Sequence, residues 1–317
     1  MSIRRATIKS LAKINLDLRV LHQRPDGFHE LRTVFQTISL ADSIDIEYEP
    51  ARRTNISIDD PLAIPGNLVV KAAQAVLDTL KLHARVHFRL RKNIPMGGGL
   101  GGGSSNAAAV LLALPVLAGR PAEPAELAAE LGSDVPFFLT GGAGVGIGRG
   151  TEVYEIPDLK PEPILVVSTG LHVATGPAYA ALDRGLTSDD SSSRINEFQA
   201  FVRVLARGRS AGVASPFSAN DFEAIVFRQF PQLQTIERKL SKLGAAGVRM
   251  TGSGSAIYAI FGSRTERDRA EQVLMRKYLV MPASLVNRGS YQKLWRRQLR
   301  EHVTSKDIWP LQSRYAK

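Results

Sequence analysis

The chain has 317 residues, 44% hydrophobic and 22% charged, which fits a globular protein with a sizeable core and suggests two domains. It contains no cysteine, which excludes disulfides, thiolate catalysis and cysteine-based zinc sites. With 41 basic and 30 acidic residues, the net charge is +11, which favours an anionic partner, either a phosphorylated small molecule or a nucleic acid.

No segment of the chain predicts a signal peptide or a membrane span. The basic N-terminus leads into alternating residues instead of an apolar stretch. The longest apolar run, residues 107–118, contains Pro115 and is too short to cross a bilayer. We therefore expect a cytoplasmic protein with no membrane partner.

In the first half, hydrophobic periodicity predicts both strands and helices. Residues 12–20 alternate between apolar and polar side chains, which predicts a half-buried strand. The further elements, in chain order, are a strand over 43–48, a helix that begins after the cap Asn67, a strand over 86–90, helices over 105–117 and 124–131, and a glycine-rich turn over 141–150 that enters a strand.

Three prolines within residues 157–168 predict a domain boundary. The second half then alternates helices with strands, and its sequence TSDDSSSR (187–194) predicts a mobile loop. Ser263 and Glu266 have the spacing of a capping box. The predicted elements are strands over 164–168, 247–251, 256–261 and 283–287 and helices over 176–183, 194–207, 219–227, 232–243 and 265–278. Such a mixture indicates an α+β fold with antiparallel sheets.

A glycine-rich stretch, PMGGGLGGGSS, lies between a predicted strand and a predicted helix. Glycines allow backbone amides to approach a bulky anion, and the following helix directs its positive end at the same place. Ser104 or Ser105 would cap the helix or direct a hydroxyl toward phosphate. The loop therefore predicts a polyphosphate site formed by Pro95, Met96, Gly97, Gly98, Gly99, Leu100, Gly101, Gly102, Gly103, Ser104 and Ser105.

Other glycine motifs fit this stretch less well. No Lys-Ser or Lys-Thr follows the glycines as in a Walker A loop. The surrounding strands do not predict the parallel βαβ unit that a dinucleotide fingerprint opens. A flexible turn without a ligand is the remaining alternative.

Four ordered blocks resemble the GHMP kinase superfamily. They are residues 11–42, the glycine loop, residues 131–152 and the segment RMTGSGSAIYAIF (249–261). The resemblance implies a GHMP kinase fold, with an N-terminal domain like domain 2 of ribosomal protein S5 over residues 1–160. It implies a ferredoxin-like C-terminal domain over 161–290, with the active site between the two domains.

The same resemblance implies an activity. The blocks most resemble those of one branch of the superfamily. Enzymes of that branch use ATP with Mg²⁺ to phosphorylate the 2-hydroxyl of a cytidine diphosphate-linked methylerythritol in isoprenoid biosynthesis. That branch implies a small-molecule partner, no nucleic acid, and a monomer or homodimer. Homoserine or mevalonate is the rival acceptor within the superfamily. From another class, an RNA-binding protein would also use the positive charge.

Two residues match the superfamily's catalytic pair. Asp134, in GSDVPF, matches the aspartate that acts as general base, although from sequence alone it could equally cap a helix. Lys13 matches the active-site lysine, which would keep Asp134 ionised. Without the resemblance, a surface lysine on a half-exposed strand would be the ordinary interpretation of Lys13.

Further residues match substrate-binding positions. Asn15 resembles an asparagine that orients the substrate, and His29 resembles a histidine that binds the cytosine, with Phe28 and Tyr179 on either side of the base. A second glycine turn in TGSGSA would cover the diphosphate through Gly252 and Gly254, unless it is an ordinary hairpin. The remaining histidines lack metal-ligand spacing, so we expect no protein-built metal site, with Mg²⁺ arriving on ATP.

Residues 291–317 form a basic extension beyond the usual end of the superfamily. Arginines and a lysine alternate there with Tyr291 and Trp295, a composition found in nucleic-acid patches. The alternative is a solvated helix that packs its aromatic side chains onto the body of the protein.

Overall fold

The computed structural model describes residues 3–183, 188–208, 210, 212, 218–304 and 308–316. Within them the strands are β1 (Arg4–Gln23), β2 (His29–Pro50), β3 (Asn55–Asp59), β4 (Ala84–Arg91), β5 (Ala143–Gly148), β6 (Glu152–Glu155), β7 (Pro163–Ser168), β8 (Gly247–Met250), β9 (Ile257–Ile260) and β10 (Leu279–Ser284). The helices are α1 (Leu68–Thr79), α2 (Gly102–Ala118), α3 (Pro124–Leu131), α4 (Phe137–Thr140), α5 (Thr175–Asp183), α6 (Ser188–Ala206), α7 (Glu223–Gln229), α8 (Pro231–Lys242), α9 (Arg264–Leu274) and α10 (Arg288–Gln298).

The first sheet is built on the long strand β2. The whole length of β1 pairs with one edge of β2, while β4 and β5 share the other edge. The sheet continues outward through β3 and β6. Its described pairs are antiparallel except β3 with β4, which are parallel, so the expectation of antiparallel sheets is wrong at this pair. Helices α1 and α2 pack on this sheet and bury a core that includes Phe88, Val110 and Leu114.

The second sheet has the order β10-β7-β9-β8, and all its described pairs are antiparallel. Helices α8 and α9 cover it through buried side chains such as Ile236, Leu240 and Leu274. Between β7 and β10 the chain follows the βαββαβ pattern of a ferredoxin-like unit. The α+β expectation is confirmed.

Local sequence signals identified several elements correctly. Asn67 caps α1 by accepting a hydrogen bond from the amide of Val69, and Ser263 and Glu266 form the expected capping box at α9. The predicted helix over 124–131 is confirmed as α3. The last strand was placed too late, since β10 covers Leu279–Ser284 and not 283–287.

Two other predictions are wrong. Helix α2 begins at Gly102 with Gly101 as its cap, so neither Ser104 nor Ser105 caps it. Residues 188–194 belong to α6 and not to a mobile loop, while residue 187 lies outside the described residues. Tertiary contacts stabilise α6. For example, Arg194 Nη1 donates to the carbonyl of Val20 at 3.0 Å.

The chain returns to the first sheet after β10. Tyr291 and Trp295 of α10 are fully buried in the core of the first sheet and its helices. Within the described part of the chain, no helix combines the length and the apolar character that crossing a membrane requires.

Candidate active site

Strand β1 carries the first part of the site on its polar face. We expected this strand to be half-buried, but both of its faces are buried and Lys13 is only 2% exposed. The second half of the chain covers the polar face, where the amide of Ala219 donates to Asp17 Oδ2 at 2.8 Å. The pairing of β1 with β2 shifts register between Leu11 and Lys13, and the Lys13 amide donates to the carbonyl of Leu100 at 3.0 Å.

Lys13 and Asp134 form an ion pair. Lys13 Nζ lies 3.1 Å from Asp134 Oδ2 and donates to Asn15 Oδ1 at 2.7 Å. The Lys13 side chain is buried, whereas that of Asp134 is 31% exposed and faces the cleft. Asp134 does not cap the helix that follows, because Pro136 is the cap of α4 and makes no side-chain cap bond. The carboxylate therefore has an open side toward a ligand.

The side chain of Asn15 connects Lys13 to the second glycine turn. Besides the lysine, Asn15 Oδ1 accepts a hydrogen bond from the amide of Gly252 at 3.0 Å. Its Nδ2 donates to Thr33 Oγ1 at 2.8 Å. Thr251 Oγ1 accepts from the Asn15 amide at 3.1 Å and lies 3.3 Å from Asn15 Oδ1. Asn15 is thus positioned to hold the ammonium and the turn in fixed relation.

The two glycine segments are in direct contact. A Cβ atom added to Gly99, whose φ is +73°, would lie 2.1 Å from the carbonyl oxygen of Thr251. A Cβ atom on Gly252 would lie 3.0 Å from the Gly99 Cα. Thr251 Oγ1 also donates to the carbonyl of Gly99 at 3.1 Å. Glycine is required at both positions because the two backbones approach so closely.

Buried polar groups fix the segments on both sides of the glycine loop. Asp42 Oδ1 accepts hydrogen bonds from the amides of Asn93 and Ile94 at 2.7 and 2.8 Å. Asp42 Oδ2 pairs with Lys92 and accepts from Asn106 Nδ2 at 3.1 Å, which ties the start of α2 to the middle of β2. Ser105 donates to the carbonyl of Leu11 at 2.7 Å, so its hydroxyl is used within the fold.

Aromatic side chains lie at the other end of the cleft. The His29 ring stacks on Tyr179 with centroids 4.4 Å apart, and Tyr179 contacts the Phe222 ring edge-on at 4.8 Å. Phe28 is 49% exposed, and the guanidinium of Arg149 lies 4.4 Å from its ring centroid. Burial first, and then the negative charge of Asp134, raise the pKa of Tyr179 above its usual range, so the phenol stays neutral.

A cleft of about 680 Å³ joins these groups. It is lined by eleven of the residues predicted from sequence: Lys13, Asn15, Phe28, His29, Gly97, Gly99, Ser104, Asp134, Tyr179, Gly252 and Gly254. The remaining predicted loop residues do not line it: Pro95, Met96, Gly98, Leu100, Gly101, Gly102, Gly103 and Ser105. Among these, Leu100 is buried and Met96 is exposed.

Sequence reasoning missed several residues that line the cleft, among them Thr33, Arg149, His172 and Ser253. Arg149 lies within the block 131–152, in the turn after β5, but its alignment with Phe28 depends on a sheet contact that spacing does not reveal. His172 is close to the glycine loop, since a Cβ atom on Gly97 would lie 2.8 Å from its Nδ1. No local motif marks that histidine.

Family models match two regions of the chain. Residues 67–142 match the GHMP kinases N terminal domain, and residues 202–280 match the GHMP kinases C terminal domain. The first region contains the glycine loop and Asp134, and the second contains Gly252 and Gly254.

Named relatives cover most of the chain. A 4-diphosphocytidyl-2-C-methyl-D-erythritol kinase from Solibacter usitatus (strain Ellin6076) is 50% identical over 98% of this chain and 98% of the relative. One of the same name from Pelotomaculum thermopropionicum is 36% identical over 85% of this chain and 93% of that protein.

Solved structures share the fold. The crystal structure of a 4-(cytidine 5'-diphospho)-2C-methyl-D-erythritol kinase aligns with a TM-score of 0.74 and 35% identity, covering 88% of this chain and 98% of that one. A homoserine kinase from Cytophaga hutchinsonii aligns with a TM-score of 0.69 at 16% identity, covering 90% and 96% of the two chains, a likeness of fold alone.

Proposed function

The chain belongs to the 4-diphosphocytidyl-2-C-methyl-D-erythritol kinase family of GHMP kinases, and from that premise we propose that it transfers the γ-phosphate of ATP to the 2-hydroxyl of 4-diphosphocytidyl-2-C-methyl-D-erythritol. The observation that carries this proposal is the Lys13–Asp134 ion pair in the cleft beside the glycine loop. The reaction would form a bond between the acceptor oxygen and the γ-phosphorus and break the bond to the β-phosphate oxygen.

Each catalytic residue has a distinct part in this proposal. Asp134 accepts the proton of the acceptor hydroxyl, which makes that oxygen a better nucleophile. Lys13 keeps the carboxylate ionised and stabilises the negative charge that develops. The glycine loop and the amino end of α2 hold the phosphates of ATP through backbone amides. The whole loop from Pro95 to Ser105 remains our proposed ATP site, with Gly97, Gly99 and Ser104 nearest the phosphates.

Magnesium would enter with ATP. The Ser104 hydroxyl and the Asp134 carboxylate line the same cleft, and both are oxygen donors of the type that Mg²⁺ prefers. When bound, the ion neutralises phosphate charge. We propose the Ser104 hydroxyl as its protein contact, because the Asp134 carboxylate has to accept the proton of the acceptor hydroxyl.

The acceptor would lie toward the aromatic end of the cleft. We propose that Phe28 supplies the face on which the cytosine stacks, because about half of its ring is exposed. His29 and Tyr179 stack on each other, so they would contact the base by their edges. Gly252 and Gly254 would cover the diphosphate, while Asn15 orients the site by holding Lys13 and the Gly252 amide.

We further propose a cytoplasmic enzyme, a monomer or homodimer, with domains over residues 1–160 and 161–290 and an extension over 291–317. The two sheets support the first boundary, since the first ends at Glu155 and the second begins at Pro163. A nucleic-acid partner is not part of the proposal, because the aromatic side chains of the extension, Tyr291 and Trp295, are buried and cannot stack on bases.

The proposal predicts that the Asp134→Asn variant loses activity. Removal of a general base costs on the order of 100- to 10,000-fold in rate, and we expect a fall in kcat of this size. The measurement is coupled ADP release with ATP and the cytidine diphosphate acceptor, with homoserine and mevalonate as comparison acceptors. Asp78→Asn, on the exposed surface of α1, is the matched control and should retain full activity. Wild-type rates in Asp134→Asn would refute the mechanism.

A further inference from the structure

The C-terminal extension contacts the catalytic part of the fold at one specific place, helix α4. This helix follows Asp134 directly, and the turn that carries the aspartate is joined to it by backbone hydrogen bonds. The amide of Phe138 donates to the carbonyl of Val135 at 3.1 Å, and that of Val135 donates to the carbonyl of Gly132 at 3.0 Å. A displacement of α4 would therefore move Asp134.

The extension satisfies two carbonyl groups at the end of α4. The last carbonyls of a helix have no partner within the helix. Tyr291 Oη donates to the carbonyl of Phe138 at 2.5 Å, and Trp309 Nε1 donates to the carbonyl of Leu139 at 3.2 Å. Both donors come from the extension, from two segments that approach α4 separately.

The turn after α4 is shaped to receive the extension. Gly141 and Gly142 both have positive φ, and a Cβ atom on Gly141 would lie 2.5 Å from the Tyr291 ring. On Gly142 it would lie 2.7 Å from the Cβ of Arg288. Arg288 Nη2 in turn donates to the carbonyl of Ala143 at 2.6 Å. Helix α10 thus packs directly against the backbone on which α4 ends.

Helix α4 and the other half of the catalytic pair, Lys13, both pack against Gly101. A Cβ atom on Gly101 would lie 2.9 Å from Phe138 Cζ and 3.0 Å from Lys13 Cγ. The Phe138 ring, the glycine loop and the aliphatic part of Lys13 therefore meet at one point. A shift of Phe138 would disturb both the loop and the lysine.

We propose that helix α10 and the segment around Trp309 act as a strap that positions Asp134 against Lys13, with Tyr291 and Trp309 as positioning residues that act through α4. The inference rests on the proposed function for its catalytic consequence, but the link from the extension to α4 is independent of the identity of the acceptor. It gives the extension a role in the first domain's active site.

Two conservative variants test the strap. Tyr291→Phe and Trp309→Phe each remove one donor and keep an aromatic ring. Tyr315→Phe is the matched control, because Tyr315 pairs with His302 and packs near Gly119, with no contact to α4 among the described residues.

The first measurement is hydrogen exchange of the peptide spanning residues 133–141. Leaving a buried carbonyl unpaired weakens the segment enough to speed its exchange about five- to 100-fold. We expect this in both test variants and not in Tyr315→Phe. Unchanged exchange in the test variants, or equal acceleration in the control, would overturn the strap whatever the enzyme phosphorylates.

The second measurement is steady-state phosphoryl transfer. Misplacement of a catalytic group by about 1 Å costs up to about 100-fold, so kcat should fall at least several-fold while both KM values stay within twofold. Faster exchange with an unchanged kcat would overturn the positioning role. If the wild-type enzyme fails to phosphorylate the cytidine diphosphate acceptor, the proposed function fails, and the exchange result still decides the strap.

Discussion

At the scale of single residues, the site depends on charged groups that would be costly to bury alone. Lys13 is buried, but its ammonium is paired with Asp134 and accepted by Asn15. Next along the strand, Asp17 pairs with Arg19 and accepts from the amide of Ala219. Burial nevertheless raises the pKa of Asp17 to about 6, because desolvation outweighs the nearby positive charge.

Glu223 gives a prediction about stability and pH. It accepts a hydrogen bond from the amide of Met250 at 2.8 Å, yet burial raises its pKa from 4.5 to about 6. The folded protein therefore binds a proton more tightly than the unfolded chain. The resulting stabilisation is complete below the unfolded pKa and is lost as the pH rises through about 6.

The Glu223→Gln variant lacks this titration. Between pH 4 and pH 7, wild type should lose about 2 kcal/mol of unfolding free energy relative to Glu223→Gln. Urea denaturation of both proteins across that range measures the difference. Glu130→Gln, at a position exposed on α3, serves as the control and should show no such trend. A constant difference between wild type and Glu223→Gln would contradict the assignment.

At the scale of elements, the glycine loop works because its two ends are held differently. Its entry is tied to Asp42, and its exit starts α2 from Gly101 in the left-handed conformation. In the middle, Gly99 lies against Thr251 of the second glycine turn. The loop therefore lies between the two halves of the chain. Its glycines differ in whether the surrounding atoms leave room for a side chain.

Gly99→Ala and Gly103→Ala should differ sharply. The new methyl group on Gly99 would overlap the Thr251 carbonyl and separate the two glycine segments, so we expect a lower melting temperature and reduced activity. On Gly103, inside α2, it would meet Leu68 at an ordinary 3.7 Å. There alanine should be neutral or stabilise by up to about 1 kcal/mol. Thermal denaturation compares the two, and similar melting temperatures would contradict the close contact.

Sequence motifs correctly predicted those elements that are stabilised by interactions between residues close together in the chain. Asn67 and Ser263 identify their helices because each side chain caps the backbone two or three residues ahead. The helical start of α6 was missed, because the sequence DDSSS has low helix propensity and tertiary contacts stabilise it. Ser191, for example, donates to the carbonyl of Leu21. The start of α2 was missed because Gly101 replaces the expected serine cap.

At the scale of the whole molecule, the site is made where the two halves of the chain meet. Strand β1 belongs to the first sheet, but the segment around Ala219 and Thr251 covers its polar face. Burial of Lys13 could not be predicted from strand parity, because parity does not reveal a second domain. The resemblance identified Lys13 and Asp134 as partners, and the structure brings them together at 3.1 Å.

The role of the extension was equally hidden from local patterns. Its basic residues predicted either a nucleic-acid patch or a packed helix, and the two could not be separated without knowing where Tyr291 and Trp295 lie. Their burial in the first core depends on the turn at Gly141, whose backbone leaves room for the Tyr291 ring. The contact that decides between the two alternatives joins Gly141 and Tyr291, which are 150 positions apart in the chain. No short motif reveals such a contact.

The central claim is that the glycine loop holds the terminal phosphates of ATP beside an acceptor hydroxyl poised against Asp134 and Lys13. A crystal structure with a non-hydrolysable ATP analogue and the cytidine diphosphate acceptor tests it most directly. We predict phosphate oxygens within about 3 Å of loop amides and the 2-hydroxyl within about 3 Å of the Asp134 carboxylate. Nucleotide phosphates bound away from the loop, or an acceptor hydroxyl out of reach of Asp134, would contradict the account.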